Sequence, residues 1–515
     1  MKGMVASPHA AASASGAEVL REGGSAVDAA LATASALGVL YPHMCGIGGD
    51  AFWLIYDAAT REVSYLDGGG RAARSATLER FSGQSEIPFR GLVPATLTTP
   101  GAVASFCAAH ERYGKLPLAR CFRDAIRFAR EGHVPTARVA RWISETSAEL
   151  ARDPASAALF LSQKQELKNP RLADTFEAIA AQGRAGFYEG KVAKGLAALG
   201  GFFTEHDLAA QQAYWGEPIR GTYRGVTICE TPAPTQGFTV LEMLNLLEPF
   251  ELGKRDFLGP DHVHLLVQAK QIAYNDRDRW LGDPRFTRVP MEKLLSKSYA
   301  DERRRLIDPA RALAWDKVPS EGSLTGDTVY VAAVDARGSA ASLIFSLYGV
   351  FGSCISSAET GVVLQNRGAY FSLDPKHPNR LEPGKVPLHT LIASLAFKDY
   401  RLWAALGCMG ADGQPQIHVQ AYVAMLDFGL DIRQALDMPR WLSGRFALGE
   451  PRDTLHIEAR YPRATIDELA RRGHLIDRWG DWNELAGHAN GITIGDDGAR
   501  TGGYDPRSDG AAVPG

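Results

Sequence analysis

Gly326-Asp327-Thr328-Val329-Tyr330-Val331-Ala332-Ala333-Val334-Asp335 is the stretch around which the chain is best read. Apolar residues run unbroken from Val329 to Val334, a turn follows at Asp335-Ala336-Arg337-Gly338, and a second apolar run extends from Ala340 to Tyr348. The pattern predicts a β-hairpin whose first strand begins at Thr328 and is reached through a loop, Ser320–Asp327. If the Asp327–Thr328 bond were cut, Thr328 would carry a free α-amine at a strand end. One residue would then hold a hydroxyl nucleophile and its own base. An α-amine titrates at about 7.7–8.0, so it accepts a hydroxyl proton near neutrality. A threonine opening a buried strand is also ordinary β-structure, and the local pattern leaves both readings open.

Working outward, the chain has 515 residues, enough for one large layered domain or two domains. Hydrophobic residues are 45% and charged residues 22%, the proportions of a soluble globular protein. A net charge of −3 with scattered Arg and Lys argues against nucleic acid or an acidic membrane surface as partner. The six cysteines (45, 107, 121, 229, 354 and 408) form no C-x-x-C pair and read as reduced, packed thiols. No apolar run is long enough to span a bilayer and the N-terminus shows no secretory pattern, so the expectation is a cytoplasmic protein.

Before the hairpin, helices are expected at Ala10–Glu22, Ala26–Leu40, Gly101–Arg112, Ala119–Glu131, Thr136–Glu149 and Arg171–Gln182. Gly46-Ile47-Gly48-Gly49-Asp50-Ala51 fits the letters of a dinucleotide fingerprint. Its context does not: a helix precedes it and a strand, Phe52–Tyr56, follows. Its glycines are read as allowing close backbone approach. Gly68-Gly69-Gly70-Arg71 ends the next hairpin; Arg71 either grips a substrate carboxylate or lies on a surface loop. One strand is expected at Tyr223–Ile228, a helix at Phe238–Leu247, and another from His262 to about Tyr274, closed by an ion-pair cluster at Asp276-Arg277-Asp278-Arg279. His262 and His264 fall on different helix faces, which speaks against a metal site. After the hairpin, Gly361–Arg367 reads as a strand, as does Leu402–Leu406, which runs into Gly407-Cys408-Met409-Gly410-Ala411-Asp412-Gly413-Gln414 and a helix Pro415–Leu426. Backbone N–H groups in such a turn can stabilise an oxyanion, or simply close a tight connection. Ser508–Gly515 is expected to be loosely held.

Nine segments carry a wider resemblance, in order along the chain: Met4-Val5-Ala6-Ser7-Pro8-His9; Gly23-Gly24-Ser25-Ala26-Val27-Asp28-Ala29-Ala30; Pro42-His43 with Gly46-Ile47-Gly48-Gly49; Tyr274 with Asp276-Arg277-Asp278-Arg279; Gly326-Asp327-Thr328; Phe351-Gly352-Ser353; Pro383-Gly384-Lys385; Asp427-Phe428-Gly429-Leu430; and Asp505-Pro506-Arg507-Ser508. Together they resemble the γ-glutamyltranspeptidase family. The resemblance implies an α+β fold, the four-layer αββα sandwich of the N-terminal nucleophile hydrolases. It implies self-cleavage between Asp327 and Thr328, giving a large subunit of residues 1–327 and a small subunit of residues 328–515 interwoven in one domain. A homodimer of these heterodimers is a further expectation. Thr328 falls on the family's nucleophile, Ser346 on the hydroxyl residue that bonds the nucleophile's amine, and Gly410 and Ala411 on the paired oxyanion-hole donors.

The substrate side departs from the family. Its carboxylate-gripping Arg falls on Gly69, with Arg71 two residues on; its Asn becomes Tyr348; its Gln and Asp become Arg367 and Tyr370; and its Ser-Ser pair becomes His389-Thr390. The lid segment between Ser372 and Pro383 is short. A reader built from buried polar partners loses its ligand when the partners change. The pattern is similar to the divergent branch that includes oxamate amidohydrolase and cephalosporin-acylase-like proteins. The expected activity is hydrolysis of the amide of a small, carboxylate-bearing substrate, with Arg71, His389 and Arg367 as candidate carboxylate holders and no metal or organic cofactor required. Two alternatives stand: a true γ-glutamyltransferase or glutathione hydrolase with a rebuilt pocket, and a non-catalytic ligand-binding protein on the same fold.

Overall fold

Unbroken apolar strands need cover on both faces, and the structure supplies it with helices on one side and a second sheet on the other. The computed structural model describes residues 2–163, 165–313, 327–444 and 454–515; residues 320–326 of the loop before Asp327 lie outside them. Its strands are Met4–Ser7 (β1), Asp50–Asp57 (β2), Glu62–Gly68 (β3), Tyr214–Gly216 (β4), Ile219–Tyr223 (β5), Val226–Glu230 (β6), Asp327–Val334 (β7), Ala340–Tyr348 (β8), Ser394–Lys398 (β9), Arg401–Cys408 (β10), Trp441–Ser443 (β11), Thr454–Glu458 (β12), Leu475–Trp479 (β13), Ala489–Ile494 (β14), Arg500–Tyr504 (β15) and Ala511–Pro514 (β16). One sheet has the order β16-β1-β7-β8-β2-β3-β4 and the other β15-β14-β10-β9-β6-β5; β11-β12-β13 form a small third sheet. Both large sheets are antiparallel and draw strands from either side of Thr328.

Side-chain parity assigns the layers. In β7, Val329, Val331 and Ala333 pack among the helices, while Tyr330, Ala332 and Val334 face the second sheet. In β2, Ala51, Trp53 and Ile55 face the helices, and Phe52, Leu54 and Tyr56 face the second sheet. The outer helices on the β7 side include Ala26–Leu40, buried along its whole length and started by a Ser25–Asp28 capping box. Gly237–Leu247, Pro260–Trp280 and Gln414–Leu426 cover the far face of the second sheet. This is the expected αββα sandwich. Two glycines bring its parts into contact. A Cβ at Gly49 would lie 2.0 Å from the Ser346 carbonyl oxygen, and one at Gly407 would lie 2.2 Å from the Tyr330 ring of the facing sheet. Gly49→Ala is therefore expected to destabilise the protein by about 1–3 kcal/mol, read as a lowered denaturation midpoint. An unchanged midpoint would mean that β2 and β8 are not held at that separation.

Several expected elements differ. Tyr223–Ile228 is not one strand but the turn of a hairpin, β5–β6, because Arg224 and Gly225 both take positive φ (49° and 78°), the backbone of a tight two-residue hairpin. Thr136–Glu149 breaks at Thr146 into Ala137–Glu145 and Ser147–Leu150. Gly361–Arg367 forms isolated bridges, Gly48 with Leu364 and Ser356 with Val363, then a 3-10 turn, Arg367–Tyr370; its backbone is spent on loops, as where Gln365 N–H donates to Gly48 O. The helix begun near His262 does not close at Tyr274 but runs through Asp276–Arg279 to Trp280. The C-terminus is not loose, since β16 pairs with β1 and Gly515 N–H donates to Gly3 O. None of the described helices is long and apolar enough to cross a membrane.

Candidate active site

The parity that points Tyr330 and Ala332 into the cleft between the sheets points Thr328 there too. Ser342 and Ile344 on β8 do the same for Ser346, and Phe52 and Leu54 on β2 for Asp50, which pairs with Ser346 across the strands. The β7–β8 register shifts by one residue between Asp327 and Val329. Such a bulge re-aims side chains at a strand end, here at Thr328. Thr328 Oγ1 donates to Ser346 Oγ at 3.2 Å, Ser346 Oγ donates to the Asp327 carbonyl oxygen, and Tyr348 N–H donates to Ser346 Oγ at 2.7 Å. The hydroxyl pair thus lies against the Asp327–Thr328 peptide.

Across the cleft, β10 ends at Cys408 and the loop Met409–Gly413 follows. Gly410 has φ 146° and Ala411 φ 44°, a left-handed conformation that an alanine adopts only under constraint. The constraint is visible. Gln236 Nε2 donates to Ala411 O at 3.0 Å, Arg277 Nη1 to Asp412 Oδ1 at 2.5 Å, Tyr370 OH to the same Oδ1 at 2.7 Å, and Tyr274 OH to Asp412 O. The acid–base run in the long helix is an ion-pair cluster, as expected, but through Arg277 it also holds this loop. Neither the Gly410 nor the Ala411 N–H donates to an acceptor among the described residues. Two backbone donors held in place and left open are what an oxyanion needs.

Arg367 is buried, with its guanidinium 4.1 Å from the centre of the Tyr348 ring. Its Nη1 donates to Thr390 Oγ1 at 3.2 Å; its Nε and Nη2 are buried without partners, and no carboxylate among the described residues lies within 4.0 Å of it. Tyr348 and Tyr370 meet edge to face at 5.4 Å, so both complete this wall. His389 is buried beside Phe52 with Nε2 3.3 Å from Asp50 Oδ2. Burial, and then Arg367, hold its pKa down at about 4. Thr328, Ser346, Tyr348, Arg367, Tyr370, His389 and Thr390 therefore form one connected group. Arg71 points elsewhere: its guanidinium lies 4.2 Å over the Tyr214 ring, with Arg285, Asp67 and Asp283 as charged neighbours. The Ser372–Pro383 segment closes on itself through Ser372–Asn379 and Leu381–Ser372 backbone bonds.

The Asp50 carboxyl has no role in the sequence reading, and Asp327 enters it only through its peptide bond to Thr328. Asp50 follows the Gly46–Gly49 run at the start of an inward-facing strand, a position that parity alone would have flagged. Asp327 is 7% exposed and its Oδ2 has no partner. Burial pushes its carboxyl from 3.8 up to about 7, opposed by Arg90. Between those values the folded uncut chain holds a proton that the unfolded chain has lost, so its stability falls as pH rises through that window and levels off above it. The effect is worth up to about 4 kcal/mol. An uncut Thr328→Ala protein should be less stable to denaturant at pH 8 than at pH 5, and adding Asp327→Asn should flatten that slope. An identical slope in both proteins would remove Asp327 as its source.

For metals, one group among the described residues, Asp28, His110 and Cys121, places its ligand atoms within 4.8 Å of one another. Asp28 Oδ2 there already accepts from Ser25, Lys115 and Leu116 N–H, and His110 Nε2 lies 2.8 Å from Leu116 O, so the group serves as a helix cap.

Two facing antiparallel sheets between helical layers make the αββα sandwich of the N-terminal nucleophile hydrolases. The chain belongs to the gamma-glutamyltranspeptidase family, whose model matches residues 12–515. It is 38% identical to the glutathione hydrolase-like YwrD proenzyme of Bacillus subtilis, over 99% of this chain and 98% of that protein. It is 37% identical to the oxamate amidohydrolase proenzyme of Klebsiella pneumoniae, over 99% and 98%. The crystal structure of cephalosporin acylase from Bacillus halodurans superposes with a TM-score of 0.91 at 35% identity, covering 99% of this chain and 95% of that one. The protein is accordingly a member of an enzyme family of hydrolases and amidohydrolases.

Proposed function

We propose that this protein is a self-processing amidohydrolase in which Thr328 is the nucleophile, first on its own backbone and then on a small amide that carries a carboxylate. The hydroxyl relay from Thr328 through Ser346 to the Asp327 carbonyl oxygen carries the reading. In processing, Thr328 Oγ adds to the Asp327 carbonyl carbon while Ser346 donates to the carbonyl oxygen. The C–N bond breaks as the nitrogen takes up the proton that Oγ gives up, leaving an ester on Oγ and the amine on the same residue. Water hydrolyses the ester, giving the Asp327 carboxylate and a free Thr328 amine. In turnover that amine takes the Oγ proton, Oγ adds to the substrate carbonyl, and the Gly410 and Ala411 N–H groups receive the oxyanion. The leaving amine departs protonated, and water releases the acyl group. The proenzyme names of the relatives accord with processing into subunits of residues 1–327 and 328–515.

The partnerless Arg367 N–H groups support a carboxylate on the acyl group, in the range between the oxamate and acylase chemistries that two relatives are named for. Six unpaired cysteines, five of them buried, accord with a cytoplasmic setting. The test is the intact mass of the purified protein under denaturing conditions. Two species divided between Asp327 and Thr328 are expected, followed by ammonia release from oxamate or hydrolysis of acyl anilides. A chain that stays whole on long incubation would withdraw the Thr328 amine from the mechanism and favour a binding protein.

A further inference from the structure

Asp50 is held rigidly. Its Oδ1 accepts from Gly70 N–H at 2.8 Å, Gly101 N–H at 3.2 Å and Gln365 Nε2 at 3.2 Å. Its Oδ2 has no hydrogen-bond partner and lies 3.3 Å from His389 Nε2, off the line of a straight bond. The His389 backbone is equally fixed, with its N–H donating to Pro234 O at 2.9 Å and its carbonyl accepting from Gln236 N–H at 3.0 Å. A carboxylate oxygen is an acceptor only. At 3.3 Å it would repel a ring lone pair, so Nε2 carries the proton. Burial and the neighbouring Arg367 keep the ring from taking a second proton. The lone pair therefore sits on Nδ1, which is buried and has no partner. Arg367, whose charge acts on this ring, carries two buried nitrogens that are also unpartnered.

We propose that Asp50 and His389 set the substrate class: the acyl group bears, beside the carboxylate that Arg367 takes, a neutral O–H or N–H donor for His389 Nδ1. An ammonium in that place is disfavoured, because Arg367 is already an unpaired buried cation. Asp50 is a positioning residue here, acting through the ring. The inference rests on the proposed amidohydrolase reading, whereas the ring-proton readout below is independent of it.

The test uses enzyme whose mass shows Thr328 freed, and p-nitroanilides of four- and five-carbon dicarboxylic acids. The carbon next to the distant carboxylate carries a hydroxyl, a hydrogen or an ammonium group; in the five-carbon set these are 2-hydroxyglutaryl, glutaryl and γ-glutamyl. The expected order of kcat/KM is hydroxyl, then hydrogen, then ammonium, with about tenfold between the first two, the worth of one good neutral hydrogen bond. In Asp50→Asn the amide oxygen must face the three donors that Oδ1 now serves, so the amide NH2 faces Nε2. That forces the proton to Nδ1, and the hydroxyl-to-hydrogen ratio should fall to one or below. The 15N spectrum of the histidines gives a readout that needs no turnover, with His389 identified by its loss in His389→Phe. Wild-type protein should show Nε2 protonated, and Asp50→Asn should show Nδ1 protonated. Equal rates on the hydroxyl and hydrogen compounds, no turnover of either by cut enzyme, or an Nδ1-protonated wild-type ring would each overturn the inference. An uncut chain would instead count against the Thr328 mechanism and leave the spectrum to decide the ring.

Discussion

Thr328→Ala should remain a single 515-residue chain under conditions in which the parent divides between Asp327 and Thr328. Without the hydroxyl nothing adds to the Asp327 carbonyl, and without processing no amine is released. Turnover of any amide should fall by about 10⁴-fold or more, because nucleophile and base are lost together. Thr328→Ser keeps both groups and should still divide. Ser346→Ala isolates the relay: it removes the donor to the Asp327 carbonyl oxygen while leaving Thr328 intact. Loss of one oxyanion-type donor is worth about 10²–10³-fold, so processing should slow by that factor and still reach completion. The time course of intact mass separates these outcomes. Division of the Thr328→Ala chain at the same bond would sink the mechanism.

The second large effect is expected at Arg367, where activity and stability should move in opposite directions. Its guanidinium is 1% exposed, bonded only through Nη1, and without a carboxylate partner among the described residues. A buried charge left unpaired costs several kcal/mol, a cost that a substrate carboxylate would offset. Arg367→Met keeps the volume and removes the charge. It should lower kcat/KM for carboxylate-bearing amides by about 10²–10³-fold, the usual loss when one partner of a buried charged pair is truncated. The same change should raise the denaturation midpoint of the substrate-free protein. Neutral amides of the same length should lose far less. Equal losses on charged and neutral substrates, or a lower midpoint, would show that Arg367 supports the fold and does not read the acyl group.

Arg71 and Arg367 show how far a side chain's role can be judged from its place in the chain. Both were candidate carboxylate holders, and Arg71 lies at the end of a glycine turn that invites that reading. The Arg71 guanidinium stacks on Tyr214 among Asp67, Asp283 and Arg285, while Arg367 is sealed between Tyr348 and Thr390. Glycine content speaks of backbone freedom; the direction of a long side chain depends on what packs around it. The misplaced strand at 361–367 has the same origin. An apolar run there is buried by loops, which consume its backbone bonds without forming a ladder.

The sequence by itself determined the hairpin that begins beside Thr328 and, through the order of its motifs, the family and the layered fold that the family implies. Apolar runs of strand length, broken by turn residues, demand cover on both faces, and period-two parity turns Thr328, Ser346 and Asp50 to one side because alternation is a property of any extended backbone. The order of motifs identified the family for the same reason, being local and linear. Tertiary structure alone decided what the cleft contains. Asp50, Arg367, His389 and Asp412 come from four separate segments, and the contacts of each are made by residues from other segments; at His389, burial and the neighbouring Arg367 also hold the ring's pKa down. Burial, pairing and the choice of proton-bearing nitrogen are set by surroundings within a few ångströms, and those exist only once the two sheets have closed on each other.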